Sequence, residues 1–173
     1  MKKIIGTVIG ILGIIALSLY IYHSCFETKV AFVDIPKVFN GFAMKKELQE
    51  KYKKTEQARQ RMLDSLSMEL QLLSGKLNLN RDNKELIQEF DFKRDAFFKS
   101  KRLIEEDNAA LSSQYDKQIL EQMTQYMQDY GKSHDYDLIH GADGNGAMMY
   151  ANQEYNISDE VTQFINDKYK GIE

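Results

Sequence analysis

Through one long stretch, Ala43 to Lys132, apolar residues recur among polar ones at helical spacing. On its first half they are Leu48, Tyr52, Met62, Leu66 and Leu73. On its second half they are Phe90, Phe97, Ile104, Leu111, Tyr115, Ile119, Met123, Tyr126 and Tyr130. Steps of three, four and seven put such residues on one face of a helix. Phe90, Phe97, Ile104 and Leu111 stand seven apart and form a stripe that a partner helix must cover. No proline interrupts the stretch, its only glycines are Gly75 and Gly131, and it is rich in Lys, Glu, Gln and Leu, as long surface helices are. The one break runs from Ser74-Gly75-Lys76 through Asn78-Leu79-Asn80-Arg81-Asp82-Asn83, where Gly and Asn suit a helix stop and restart. The pattern predicts two antiparallel helices folded at about residue 78, forming an arm of roughly 50 Å or more at about 1.5 Å per residue.

Short elements flank the arm. Lys29 to Asp34 (KVAFVD) is a β-type run ended by Ile35-Pro36. A short helix with proline in its first turn follows Asp34, and Gly41 allows a bend into the arm. Beyond the arm, Tyr136 to His140 reads as a second strand, Gly141 to Gly146 as a turn, and Ala147 to Ala151 as a third strand closing a hairpin. Ser158 is expected to cap a last helix whose first turn holds Asp159 and Glu160 and whose apolar face is Val161, Phe164 and Ile165. Three short strands cannot close a core alone. The strand before the arm and the two after it must therefore meet, and the small sheet is expected to complete itself between subunits.

Charge and the N-terminus narrow the setting. The chain has 173 residues and a formal net charge of −3. The arm is near neutral, with 17 basic and 16 acidic residues, while the tail from Ser133 onward sets two lysines against eight acids. Nothing in this favours nucleic acid as a partner. Met1-Lys2-Lys3 precedes an uncharged apolar run of 19 residues, Ile4 to Tyr22, whose positive end should stay cytoplasmic. The run exceeds the ~7–15 residues of a cleaved signal core and approaches the ~20 of a spanning helix. Three readings stand: an uncleaved anchor through Ile4, Ile11, Leu17 and Tyr22; a lipoprotein acylated at Cys25; or a cleaved signal. All three put the rest of the chain outside the cytoplasm. Cys25 is the single cysteine, which excludes an intrachain disulfide and a cysteine-based zinc site.

Catalytic patterns are missing. His23, His134 and His140 have no HExxH spacing, and neither G-x-S-x-G nor a Walker motif occurs. The expectation is no enzyme, no cofactor and no metal. Asp143-Gly144-Asn145-Gly146 lacks the alternating acids of a calcium loop and reads as a glycine-rich turn. The arm tip is richer. Met68, Leu70, Leu72, Leu73 and Leu77 are more than one seam can bury, because residues two apart point about 200° apart on a helix. Phe92 and Phe98 sit off the main stripe. Met68, Leu70, Leu72, Phe92 and Phe98 are therefore candidate binding residues; the alternative is that the tip residues pack against Leu86 and Ile87. With the fold at 78, Lys51, Lys53, Lys54, Arg59 and Arg61 would face Lys93, Arg94, Lys99, Lys101 and Arg102, a basic band read first as a solvated, salt-bridged face.

The order of these elements resembles the Skp/OmpH family of periplasmic chaperones for outer-membrane proteins, over roughly Lys29 to Lys170. The resemblance rests on Val30-Ala31-Phe32-Val33-Asp34 with Lys37-Val38-Phe39, and on Tyr136-Asp137-Leu138-Ile139, Met149-Tyr150-Ala151 and Ile157-Ser158-Asp159-Glu160-Val161 around a long charged hairpin. It implies a homotrimer whose strands form a small barrel-like body, with three arms enclosing a cavity for unfolded outer-membrane proteins, and no need for ATP. Two features depart from the family: the exported part is net acidic, and the leader is longer than a cleaved signal. The fold class expected is thus α+β, mostly α: a long antiparallel helical hairpin, or coiled-coil arm, on a small β-sheet body. The segments expected are 1–25 as anchor or signal, 26–42 with 133–173 as the trimerisation body, and 43–132 as the arm. Val30, Phe32, Leu138, Met148 and Tyr150 are expected to hold the subunits together. The expected location is the periplasm of a Gram-negative-type bacterium, tethered to the inner membrane. A membrane-tethered coiled-coil spacer of an envelope complex is the competing reading.

Overall fold

The computed structural model describes residues 28–172, together with Ile14, Ile15 and Ser18. The order is strand β1 (Val30–Asp34), helix α1 (Ile35–Gly41), helix α2 (Ala43–Leu79), helix α3 (Lys84–Ser133), strand β2 (Leu138–Ala142), a 3-10 turn (Gln153–Tyr155) and helix α4 (Ser158–Tyr169). The fold is mostly helical with one small sheet, as the pattern predicts. Asp34 caps α1 by accepting a hydrogen bond from the Lys37 amide at 2.9 Å, with Pro36 in the first turn.

Helices α2 and α3 form the arm. The helix does not stop at Ser74-Gly75; it runs on to Leu79, because Gly75 lies on an open face where nothing is packed. Asn80 ends α2, its amide donating to the Lys76 and Leu77 carbonyls, and the Asn83 side chain caps α3 by accepting from the Leu86 amide at 3.1 Å. The turn is therefore Asn80–Asn83 rather than residue 78, which shifts the pairing of the helices. Lys93 meets Glu69 at 2.9 Å, and Arg59 reaches Asn108 and Asp107. Lys51 consequently lies near Tyr115 and not opposite the basic residues of α3, so it leaves the expected face-to-face band. Most of those cations hold acids instead, as the salt-bridged reading requires: Lys51 with Glu47, Arg94 with Asp91 and Asp95, Arg102 with Glu106.

The seam buries Leu48, Leu63 and Leu73 from α2 and Ile119, Met123 and Tyr130 from α3. Phe90, Phe97, Ile104 and Leu111 are half-buried along it, since two helices cover only one side of each stripe. Leu63 rather than the neighbouring Met62 faces the partner helix.

The core lies at the foot of the arm, where Val33, Val38, Phe42, Val161 and Ile165 are fully buried. Phe42 is the wedge between the arm and α4, edge-on to Tyr126 at 6.2 Å and to Tyr169 at 5.5 Å. The Asn166 side chain clasps the corner on both sides of Phe42, accepting from the Ala43 amide at 2.7 Å and donating to the Gly41 carbonyl at 3.0 Å.

The strand before the arm and the first one after it do meet. β1 and β2 pair in parallel, Val30 with Leu138 through Asp34 with Ala142. The second strand begins two residues later than the sequence suggested. Lys29 closes its open end: its amide donates to the Asp137 carboxylate at 2.7 Å and its ammonium to the His134 carbonyl at 2.6 Å, above the Tyr136 ring. The expected third strand and hairpin are absent. Ala147 to Ala151 runs as irregular chain after Gly144 and Gly146, both at positive φ, and the other edge of β1 takes a bridge from Phe32 to Asn156. In the irregular chain, Met149 and Tyr150 are 89% and 86% exposed.

Ser158 does not cap α4. The Asn156 side chain accepts from the Ser158 amide at 3.0 Å, while the buried Ser158 hydroxyl accepts from the Asp34 amide at 2.8 Å and ties α4 to the end of β1.

Candidate interaction surfaces

Two exposed apolar surfaces stand out, one on the arm and one on the sheet. On the arm, Met68, Leu72, Phe92 and Phe98 are between 59% and 72% exposed. Leu70 is only half-buried on the seam side, so it differs from the other four. Met68 and Leu72 are one turn apart and share a stripe directed away from Leu66, Leu70 and Leu73. Phe92 and Phe98 are six residues apart, which at 100° per residue sets them about 120° apart around α3. The four form a collar around the outer part of the arm and not a single patch. Packing across the tip accounts for Leu73 and Leu77, which are buried or half-buried, but it leaves Ile87 partly exposed. Leu79 and Leu103 are also exposed, and the same excess over the seam could have marked them. Phe98 lies edge-on to Phe97 at 5.5 Å and lines a shallow hollow with Asp95, Lys99 and Arg102.

On the sheet, Val30, Phe32, Leu138, His140, Met148 and Tyr155 line an almost wholly apolar hollow of about 490 Å³. Val30 and Leu138 are exposed, while Phe32 is already buried within the single chain. Tyr150 stands fully exposed outside the hollow. The structure thus gathers four of the five residues expected at the subunit contact into one concavity and leaves Tyr150 outside it.

Charges at the foot of the arm are organised by α4. Tyr169 donates to the Glu47 carboxylate at 2.6 Å, and Lys168 reaches Asp129 at 2.6 Å. Hydrogen bonds from Lys51 and Tyr169 hold the Glu47 carboxyl below its usual range, and that same bond pushes the Tyr169 phenol up to about 12. At the glycine-rich turn, the Asn145 amide bonds Asp143 at 2.9 Å and lowers its pKa, a local turn contact. Among the described residues no group of His, Cys, Asp or Glu could hold a metal ion, and no helix is long and apolar enough to cross a membrane. Ile4, Ile11, Leu17, Tyr22 and Cys25 lie outside the described residues.

A long two-helix arm with a polar exterior, on which a few large apolar side chains stand exposed, rooted in a small parallel sheet, defines a helical-hairpin protein. The chain belongs to the OmpH-like family, "Outer membrane protein (OmpH-like)", whose model matches residues 29–165. Among solved structures it is similar to an OmpH-like protein from Caulobacter crescentus CB15. The TM-score is 0.71 at 14% identity, over 82% of this chain and 86% of that one. At that identity the likeness speaks for the fold. No curated protein sequence matches this one.

Proposed function

We propose that this protein is a periplasmic holdase chaperone that binds unfolded outer-membrane proteins without ATP or any cofactor. The observation that carries the reading is the collar of Met68, Leu72, Phe92 and Phe98, apolar side chains that the seam leaves in solvent. Membership of the OmpH-like family supports it. An unfolded barrel protein exposes alternating apolar residues and unpaired backbone. Several arms touching it weakly at many points gain affinity through multivalency. In this reading three copies associate through Val30, Phe32, Leu138, Met148 and Tyr150, the arms bound a client cavity, and residues 4–22 tether the assembly to the inner membrane.

The test is a quadruple variant, Met68→Ser, Leu72→Ser, Phe92→Ser and Phe98→Ser. A large apolar side chain fully buried on a client contributes roughly 1.5–3 kcal/mol, and partial burial proportionally less. Losing four contacts should abolish suppression of client aggregation where single changes are tolerated. Serine lowers helix propensity by only about 0.5 kcal/mol per position, so circular dichroism should stay helical. Full activity in the folded variant would remove this surface as the client site. Capture of one fixed envelope partner in place of a range of outer-membrane proteins would favour the tethered spacer.

A further inference from the structure

We propose that Met68, with Met62 on the same helix, is an oxidant-sensitive modification site that lowers the apolar binding capacity of the arm. The methionines of the arm differ in exposure, with Met127 half-buried between the extremes. Met44 and Met123 lie in the core at the arm's foot, 6% and 2% exposed, whereas Met62 and Met68 are 54% and 65% exposed on α2. Leu72, Leu79, Leu103, Phe92 and Phe98 share the arm's exterior. Methionine is the one side chain in that set that mild oxidants convert from apolar to polar.

The chemistry needs only a peroxide or hypochlorous acid. A lone pair on Sδ attacks the electrophilic oxygen, an S–O bond forms and the O–O or O–Cl bond breaks. Sulfur loses two electrons to the oxidant, which leaves as water from hydrogen peroxide, or as chloride with release of a proton from hypochlorous acid. The sulfoxide is polar and a good hydrogen-bond acceptor, and enzymatic reduction can restore the thioether. Met68 stands one turn from Leu72 on the stripe facing away from the seam, so its oxidation changes the surface and not the packing. Oxidising Met44 or Met123 would instead put a sulfoxide inside the core.

The loss of client holding rests on the function proposed above, but the order of oxidation and the change in surface polarity do not. The full-length protein is treated with limiting hydrogen peroxide, quenched with free methionine, and followed by peptide mass spectrometry. Met62 and Met68 should oxidise at least tenfold faster than Met44 and Met123, with helicity retained. Binding of the apolar dye anilinonaphthalene sulfonate should fall about twofold, and aggregation suppression should fall with it. Compared with its own untreated sample, the Met62→Leu/Met68→Leu variant should show no treatment-dependent fall in dye binding, although Met149, 89% exposed on the body, still oxidises. Equal oxidation of Met44 and Met68 would overturn the proposal. So would a double variant that loses as much dye binding as the parent, which would put the effect at another methionine, such as Met148 or Met149. Should the untreated protein fail to suppress aggregation, the chaperone reading falls and the dye measurement alone decides this site.

Discussion

Gly41 sits against α4 so closely that a Cβ added there would stand 2.7 Å from Thr162 Cγ2. Thr162 cannot simply rotate away, because its hydroxyl donates to the Ser158 carbonyl at 2.6 Å. Gly41→Ala should therefore cost about 1–3 kcal/mol, the usual range for overpacking, and lower the melting temperature. Adding Thr162→Ser, which deletes Cγ2 and keeps the hydroxyl, should recover most of the loss. No recovery in the double variant would show that the cost is local to the α1–α2 corner. The sequence suggests a glycine for bending here, and the structure gives it a packing role, since its neighbour in space is more than a hundred positions away. Ser158 misleads in the same way: a serine before two acids looks like a cap, and only the nearby Asp34 amide shows why its hydroxyl is buried.

The last turn of α4 latches both arm helices, Lys168 to α3 and Tyr169 to α2. The Tyr169 pKa is raised in the folded protein, so the bond to Glu47 contributes fully below the phenol's ordinary value of about 10. It is lost as pH rises from there through about 12. The Glu47 pKa is lowered, so its share is present above the ordinary carboxylate range and lost as pH falls through the lowered value. Melting temperature should thus drop between pH 10 and about 12, and Tyr169→Phe should flatten that drop while leaving the midrange helical signal unchanged. An identical alkaline profile in the variant would assign the transition to another group. At this scale the arm was legible because its contacts are local and periodic. The turn falls at the far end of the expected break, because an exposed glycine can stay helical when the stop, Asn80, lies a few residues on. The third strand does not form in this chain, because strand pairing depends on partners outside the segment and Met149 and Tyr150 are paired with no strand.

For the assembled molecule, subunit contact is proposed to reside in the body, so the arm's outer part should be dispensable for it. Deleting residues 60–107 and joining the helices by a short turn keeps Leu48, Tyr52, Tyr115 and Ile119 at the foot of the arm. Sedimentation of this shortened protein should still give a trimer, and a monomer would overturn assembly through the sheet. The family was legible in the order of weak motifs around the hairpin, whereas the apolar hollow needed the parallel pairing of β1 with β2 to be seen. That pairing also dictates a schedule. Lys29 and Asp137, which hydrogen-bond at the sheet's end, are 108 positions apart. Closing a flexible loop of that size would cost roughly 4 kcal/mol beyond a constant. The hairpin, zipping from its turn at Asn80–Asn83 through neighbouring residues, removes most of that search by delivering the two strands side by side. A chain emerging from its N-terminus therefore presents β1, with Ala31, Phe32 and Val33, long before β2 exists. For that interval the protein carries an unpaired apolar strand of its own, the same liability that its proposed clients bring to it.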